Sequence, residues 1–299
     1  MMIREFADLC TYVYVIVDDI WQTIRHEFRH PGPESEFSDS EVMALAIVAE
    51  LIEMDEEKAF LKYVRRNHSH LFPKLPHRTR YNRRRRQLAG AVNEIRRRVL
   101  WCLPVNLASY CLIDSLPVPV VAFHRAPQTR HWLGWADFGR VASKKQTIFG
   151  FKLHFLVTEQ GVIVDFVLAA ASHHDVTLAE QILMPYHNLV VIGDKGYIDE
   201  LTHSLLLQRN NLTVLTPKRC NQKDQLPKAV ARCLNQSRQM IETIGAQLSG
   251  QFNIEVNKAK RMSGLLARLC AKLAAHTIGI YLNYLLGLPH LNLKHLALI

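Results

Sequence analysis

A chain of 299 residues with 48% apolar side chains is long enough for two domains with real cores and too apolar to be disordered throughout. Its formal charge of +10 and pI near 9.4 favour a polyanionic partner such as nucleic acid, although charge alone does not separate nucleic-acid binders from other basic proteins. The six cysteines (Cys10, Cys102, Cys111, Cys220, Cys233, Cys270) have no C-x-x-C spacing, so neither a zinc knuckle nor a secreted disulfide framework is expected, and a reducing cytoplasm fits.

In chain order, the apolar stretch 9–17 lies between Asp8 and the pair Asp18 and Asp19, without the basic flank of an export signal, and reads as a core helix. Ser38 and Glu41 have the spacing of a capping box ahead of a helix over 42–52, and a second helical pattern covers 56–66. The composition shifts near residue 100. Beyond it, 111–113 is a short apolar strand weakened soon after by Pro117 and Pro119, 149–157 alternates, and Gly161 turns the chain into a third strand over 162–170, a hairpin with the second. A helical pattern at 177–184, a strand ending at Asp194, a helix over 198–208 and a strand over 212–215 follow. A last helix carries Val230, Leu234, Ile241 and Leu248 on one apolar stripe. The stretch 265–286 is long enough to span a bilayer, but Arg268, Lys272 and His276 interrupt it at helical spacing, so it reads as an amphipathic packing helix.

Three acids on this scaffold need an explanation. Asp114 interrupts the first strand, and Asp194 ends the fourth in "VVIGDKGYIDE", the edge of an α/β sheet where loops diverge and ligands bind. A carboxylate buried there needs a metal, a cation or hydrogen bonds; backbone amides at a strand end are the plain alternative. Glu242 lies beside Ile241 at the edge of the helical stripe, with Arg238 one turn earlier as its ordinary surface partner. Hard divalent cations take oxygen ligands, and three carboxylates on separate elements suit a pair of Mg²⁺ ions, or Mn²⁺ in their place, acting on a phosphodiester. Lys195 stands where it would attract a phosphate, or is an ordinary surface lysine. Lys152 and His154 alternate onto one strand face that touches DNA or solvent. His173, His174 and Asp175 follow the third strand near these acids, with Asp175 equally suited to cap the next helix. Nine of the residues in 78–98 are Arg (78, 80, 83 to 86, 96 to 98), a density that repels itself unless phosphates neutralise it; a solvated basic helix is the plain alternative.

The strings "YNRRRRQL", "LIDSLPV", "FGFKLHF", "SHHD", "DKGY" and "IETIGAQLSGQFNIEVNKAKRMSGLLARL" together resemble bacterial DDE insertion-sequence transposases, most closely the insertion-sequence family numbered 982. The resemblance implies an α/β fold: a ribonuclease-H-like catalytic domain with a mixed five-stranded sheet and flanking helices over 106–299, C-terminal helices included, preceded by an all-helical DNA-binding region over 1–105. It implies that Asp114, Asp194 and Glu242 bind Mg²⁺ and catalyse cleavage of element ends and joining of their 3′ ends to target DNA. It further implies DNA contacts from Arg78, Arg80, Arg83, Arg84, Arg85, Arg86, Lys152, Lys195, Arg238, Lys258, Lys260 and Arg261, a homodimer or larger assembly on DNA, no membrane association, and a bacterial cytoplasmic, nucleoid-associated location. Arg238 matches an arginine of related transposases, whereas their Tyr and Lys seven residues either side of the Glu are Asn235 and Ser249 here. A structure-selective nuclease on the same fold, or a silent transposase-derived DNA-binding protein, would share most of these features.

Overall fold

The computed structural model describes residues 3–28, 35–104, 110–141, 145–197, 199–216 and 228–298. Five helices come first: α1 (Phe6–Ile24), α2 (Asp39–Leu51), α3 (Glu57–Asn67), α4 (Arg78–Gln87) and α5 (Ala89–Cys102). Then follow β1 (Cys111–Val121), β2 (Asp137–Val141), β3 (Gln146–Thr158), β4 (Ile163–Ala170), α6 (Asp175–Leu183), β5 (Val190–Gly193), α7 (Glu200–Asn210), β6 (Thr213–Leu215), α8 (Lys228–Ala246) and α9 (Met262–Leu286). The chain divides into two compact units, Met1–Pro104 with Arg261–Ile299, and Val105–Lys260.

The helical unit therefore takes in the C-terminal residues that the sequence reading assigned to the catalytic region. The reason lies in α9, which is apolar on nearly every side and needs neighbours all round; α2, α4 and α5 supply them. Its length and composition would suffice to cross a membrane, yet 83% of its most apolar stretch is buried inside the protein. The expected wet face is absent: Lys272 and His276 are both buried. Lys272 Nζ donates to Glu50 Oε2 at 2.7 Å, and burial, with Arg96 nearby, pushes His276 down to about 3, so its imidazole stays neutral. Helix α2 begins at the expected capping box, Ser38 Oγ accepting from Glu41 N at 3.1 Å and Glu41 Oε2 accepting from Ser38 N at 2.6 Å.

The second unit is built on a six-stranded mixed sheet in the order β2-β3-β1-β5-β6, with β4 paired to β3. β1, β3 and β4 run antiparallel, while β5 and β6 continue parallel to β1. This is the ribonuclease-H-like arrangement with one strand beyond the expected five. That extra strand, β2, pairs with residues 146–150 of β3 and extends the edge that β4 occupies farther along. Gly139 in β2 cannot be larger, since a Cβ there would lie 2.1 Å from the Ala171 carbonyl oxygen. β1 also runs on through both prolines to Val121. Past Ile113 it has lost its β5 neighbour, and on such an edge a missing N–H removes no ladder bond. Cys111, Ile113, Leu156, Val191 and Tyr197 pack with α6 and α7 residues Ile182, Leu183 and Leu206 into one buried cluster.

Removing one partner of the buried ion pair leaves the other charge stranded. Lys272→Met should destabilise the helical unit by ~3–5 kcal/mol, whereas Glu50→Leu combined with Lys272→Met should recover most of that loss. Urea unfolding of the single and double variants reads both values; a single variant as stable as the parent would show that the pair carries no such cost.

Candidate active site

Parallel pairing of β1 with β5 ends at the rung Ile113 with Gly193. The next residue on each strand is an aspartate, so Asp114 and Asp194 are set side by side, about one strand spacing (~4.8 Å) apart at the backbone. Asp114 and Leu116 alternate onto the same face of β1, and Leu116 Cδ2 lies 3.9 Å from where a Gly245 Cβ would stand in α8. The helix bearing Glu242 thus covers the face to which Asp114 points. Leu234, Ser237, Ile244 and Leu248 form the buried side of that helix and its continuation, which leaves Glu242 and Arg238 at the rim.

Asp114, Asp194 and Glu242 all line one cavity of about 500 Å³, together with Arg140, Lys152, Asp175 and Arg238. Partial burial, then the charges of Asp194 and Asp175, push the Asp114 carboxyl up to about 7, against a bond from the Ser115 backbone and the attraction of Arg238. Asp194 Oδ1 accepts from Gly196 N at 2.6 Å, so backbone satisfaction and a place in the cavity coexist in this residue. Gly196 is fitted between carboxylates: a Cβ on it would lie 2.9 Å from Asp194 Oδ1 and 3.1 Å from Asp175 Oδ2. That explains the glycine in "DKGY". The side chain of Lys195 lies outside the described residues.

Asp175 is not the cap of α6. His174 occupies that position without a side-chain bond, and Asp175 is the first helical residue, its Oδ1 accepting from Lys152 Nζ at 2.7 Å. Lys152 is thereby held by a carboxylate instead of standing free for DNA. His154 is fully buried, with Nδ1 3.0 Å from the Tyr197 hydroxyl and Nε2 3.7 Å from Asp175, so it touches neither DNA nor solvent. Burial lowers it to about 4 and keeps it neutral, while burial and the three aspartates raise Tyr197 far above its ordinary value. A neutral layer of His154 and Tyr197 therefore lies beneath a charged one. The sequence reading missed Arg140 and Tyr197; Tyr197 could have been found as the last residue of "DKGY". His173 and His174 are exposed.

Glu242 is itself exposed and stands 3.6 Å from Arg238, an exposed pair worth little. Among the described residues, no three His, Cys, Asp or Glu side chains are grouped tightly enough to hold one ion. Asp114 and Asp194 nevertheless fit a divalent cation. They are hard oxygen donors on neighbouring strand ends, close enough for the Asp194 charge to add to the effect of burial on Asp114, and Mg²⁺ needs only one or two protein carboxylates when phosphate oxygens and water complete its shell.

The helical unit resolves the arginine block differently from the sequence reading. Four consecutive helical residues span a full turn, so Arg83, Arg84, Arg85 and Arg86 cannot share one face. Arg85, one turn after buried Tyr81, is buried and lies 3.7 Å from Glu57; Arg84 is 2.5 Å from Asp39 and also bonds the Phe37 carbonyl. Arg96 is buried in α5, with Nε bonded to Asn93. Arg78, Arg80 and Arg83 are exposed, as are Lys258, Lys260 and Arg261.

The raised carboxyl of Asp114 has a signature in metal-free protein. Because the folded state binds this proton up to about pH 7 and the unfolded chain releases it near 3.8, stability should fall as pH rises through that interval. Asp114→Asn lacks this loss and should be the more stable protein above pH 7. Urea melts in chelator across the interval measure the difference, and parallel pH profiles would rule the effect out.

A comparison with protein families matches residues 106–262 to the transposase DDE domain, a span of more than half the chain that holds Asp114, Asp194 and Glu242. Searches of curated proteins and of solved structures gave no match. The sheet order agrees with the ribonuclease-H-like core expected of such a domain, and DNA is the partner it implies. By the extent of that match, the chain belongs to the DDE transposases, enzymes that cut and transfer the phosphodiesters of DNA.

Proposed function

We propose that the protein is the transposase of an insertion sequence of the kind its motifs resemble, cutting the element's ends and joining the freed 3′ ends to target DNA. The observation that carries this reading is the β1–β5 register, which puts Asp114 and Asp194 next to each other in a cavity rimmed by Glu242 and Arg238. Asp114 and Asp194 are the two fixed ligands for Mg²⁺, or Mn²⁺ in its place, and Glu242 is the third, supplied from the separate helix α8. Bound there, the metals would activate water or a 3′ hydroxyl and stabilise the leaving oxygen of the phosphodiester.

The chain's own residues have distinct tasks. Arg238, exposed at the rim, offers a fork of donors to phosphate oxygens, and once a phosphate competes for it, Glu242 is released from its weak pairing. Arg140 enters the same cavity from β2 and offers a second cation to the backbone. Lys152 neutralises Asp175, which limits the negative charge that DNA meets. In the helical unit, Arg78, Arg80 and Arg83 are the exposed arginines of α4 and the ones that face phosphate, with Arg78 also 3.7 Å from Glu57. Two DNA molecules must be held for joining, and an assembly of two or more chains in the bacterial cytoplasm fits that need.

Asp114→Asn, Asp194→Asn and Glu242→Gln keep shape and remove a ligand charge. Each should lower metal-dependent cleavage about a thousandfold or more, ~4 kcal/mol of barrier, while DNA binding persists. Parental cleavage by any one of them would remove that residue from the site. Given pre-cleaved element ends, plasmid target and Mg²⁺, the parent should form joined product; sustained hydrolysis without joining would leave a nuclease.

Replacing Arg78, Arg80 and Arg83 with Gln should weaken binding to all sequences and reduce the slope of log K against log salt by ~0.9 per lost contact. Arg85→Gln should instead lower the melting temperature, because it leaves Glu57 without its buried neighbour. An unchanged salt slope in the triple variant would place those arginines away from DNA.

A further inference from the structure

The connection from β1 to β3 displays large aromatic side chains to solvent beside the catalytic cavity. Phe123 is 57% exposed, Trp135 60% and Phe138 40%. Single exposed apolar residues are ordinary, but several on one short segment mark a binding surface. The segment is firmly built. Trp132 is buried and meets Phe151 edge-on at 5.8 Å, which anchors the turn that carries Trp135. Phe138 packs on Phe149 at 5.0 Å, and Phe123 stands edge-on to Phe138 at 5.4 Å. β2 itself is clamped against β3 and, through Gly139, against the Ala171 carbonyl. The Phe138 and Phe123 rings are therefore presented in fixed orientation, at little further cost in ordering.

Charge identifies the occupant. Residues 122–141 hold three exposed arginines, Arg125, Arg130 and Arg140, against one acid, Asp137, whose Oδ1 already accepts from Phe138 N. An acidic polymer with flat apolar groups matches that combination, and nucleic acid is such a polymer. Strand alternation gives the alignment: Phe138 and Arg140 share one face of β2, ~7 Å apart, and Arg140 lines the cavity with Asp114 and Asp194. A DNA strand whose phosphate meets Arg140 in the cavity brings an adjacent base to the Phe138 ring. A paired base is stacked within the duplex and offers no face, so only an unpaired base can use the ring.

We propose that Phe138, backed by Phe123 and with Trp135 on the adjoining turn, stacks an unpaired DNA base next to the phosphate held in the cavity. The inference rests on the reading of that cavity as the DNA-cleaving site. The enzyme then favours a substrate whose strands are separated at the cleavage point, and gains part of its binding energy from holding them apart.

The test compares, for each protein, affinity for a blunt duplex and for the same duplex ending in a short oligothymidine fork. Using the ratio cancels general losses of binding. The parent should prefer the fork about tenfold; Phe138→Leu, which keeps apolar bulk without a π face, should lose the preference, and Phe138→Tyr should retain it. Iodouracil at the first unpaired position should photocrosslink to the peptide containing Phe138 or Phe123. Equal affinity of the parent for both DNAs, or an unchanged preference in Phe138→Leu, overturns the inference. Metal-dependent nicking in the same preparations separates the two readings: nicking without fork preference removes the stacking surface alone, whereas fork preference without nicking upholds the surface and removes the cleavage site.

Discussion

Three rungs of parallel pairing between β1 and β5 carry the chemistry of the catalytic unit, because they set two carboxylates at the same level of adjacent strands. The arrangement is unfavourable in isolation. Burial and the neighbouring charges push Asp114 up to about 7, so the folded chain works against its own electrostatics at this point. What holds it is apolar packing immediately behind: Ile113, Val191 and Tyr197 belong to one buried cluster, and Gly193 lets Ile113 and Tyr197 close to within 3.0 Å of its missing Cβ. The site draws its demand for a cation from strain that the core absorbs.

Around that pair, rigid and conditional parts are distinct. Asp114 and Asp194 are fixed by a sheet, and Asp175 by Lys152, with His154 and Tyr197 filling the space beneath as neutral groups. Keeping the lower layer neutral is what allows the upper one to be charged; a second ionised layer would repel the first across a poorly solvated gap. Glu242 differs, being exposed on a helix and held only by a weak pair with Arg238. Its contribution depends on what enters the cavity.

The helical unit shows the same economy with opposite charge. Its arginines are divided by helix geometry: Arg85, one turn after Tyr81, is drawn inward to Glu57 and Arg84 is held by Asp39, while others on α4 remain at the surface. One basic segment thus serves both cohesion and surface potential, and counting its arginines overstates how many remain for a polyanion. Glu50 with Lys272 repeats the theme in the core, where a charged pair links α2 to the largely apolar α9.

Much was legible in the residues themselves. The capping box at Ser38, the strand β3 and its Gly161 turn into β4, and the acids at strand ends all follow from local rules of period and backbone preference, although β3 is buried on both faces where its pattern alternates. The ribonuclease-H-like order was legible through several motifs taken together. Tertiary structure alone decided that β1 runs through two prolines, since that depends on which neighbour is missing, and that Lys152 belongs to Asp175, since the partner is 23 residues away. It also decided that α9 packs against α2, α4 and α5, because a largely apolar helix records the need for burial but not the surface that satisfies it. Period and propensity act along the chain, whereas partners, burial and pKa act through space.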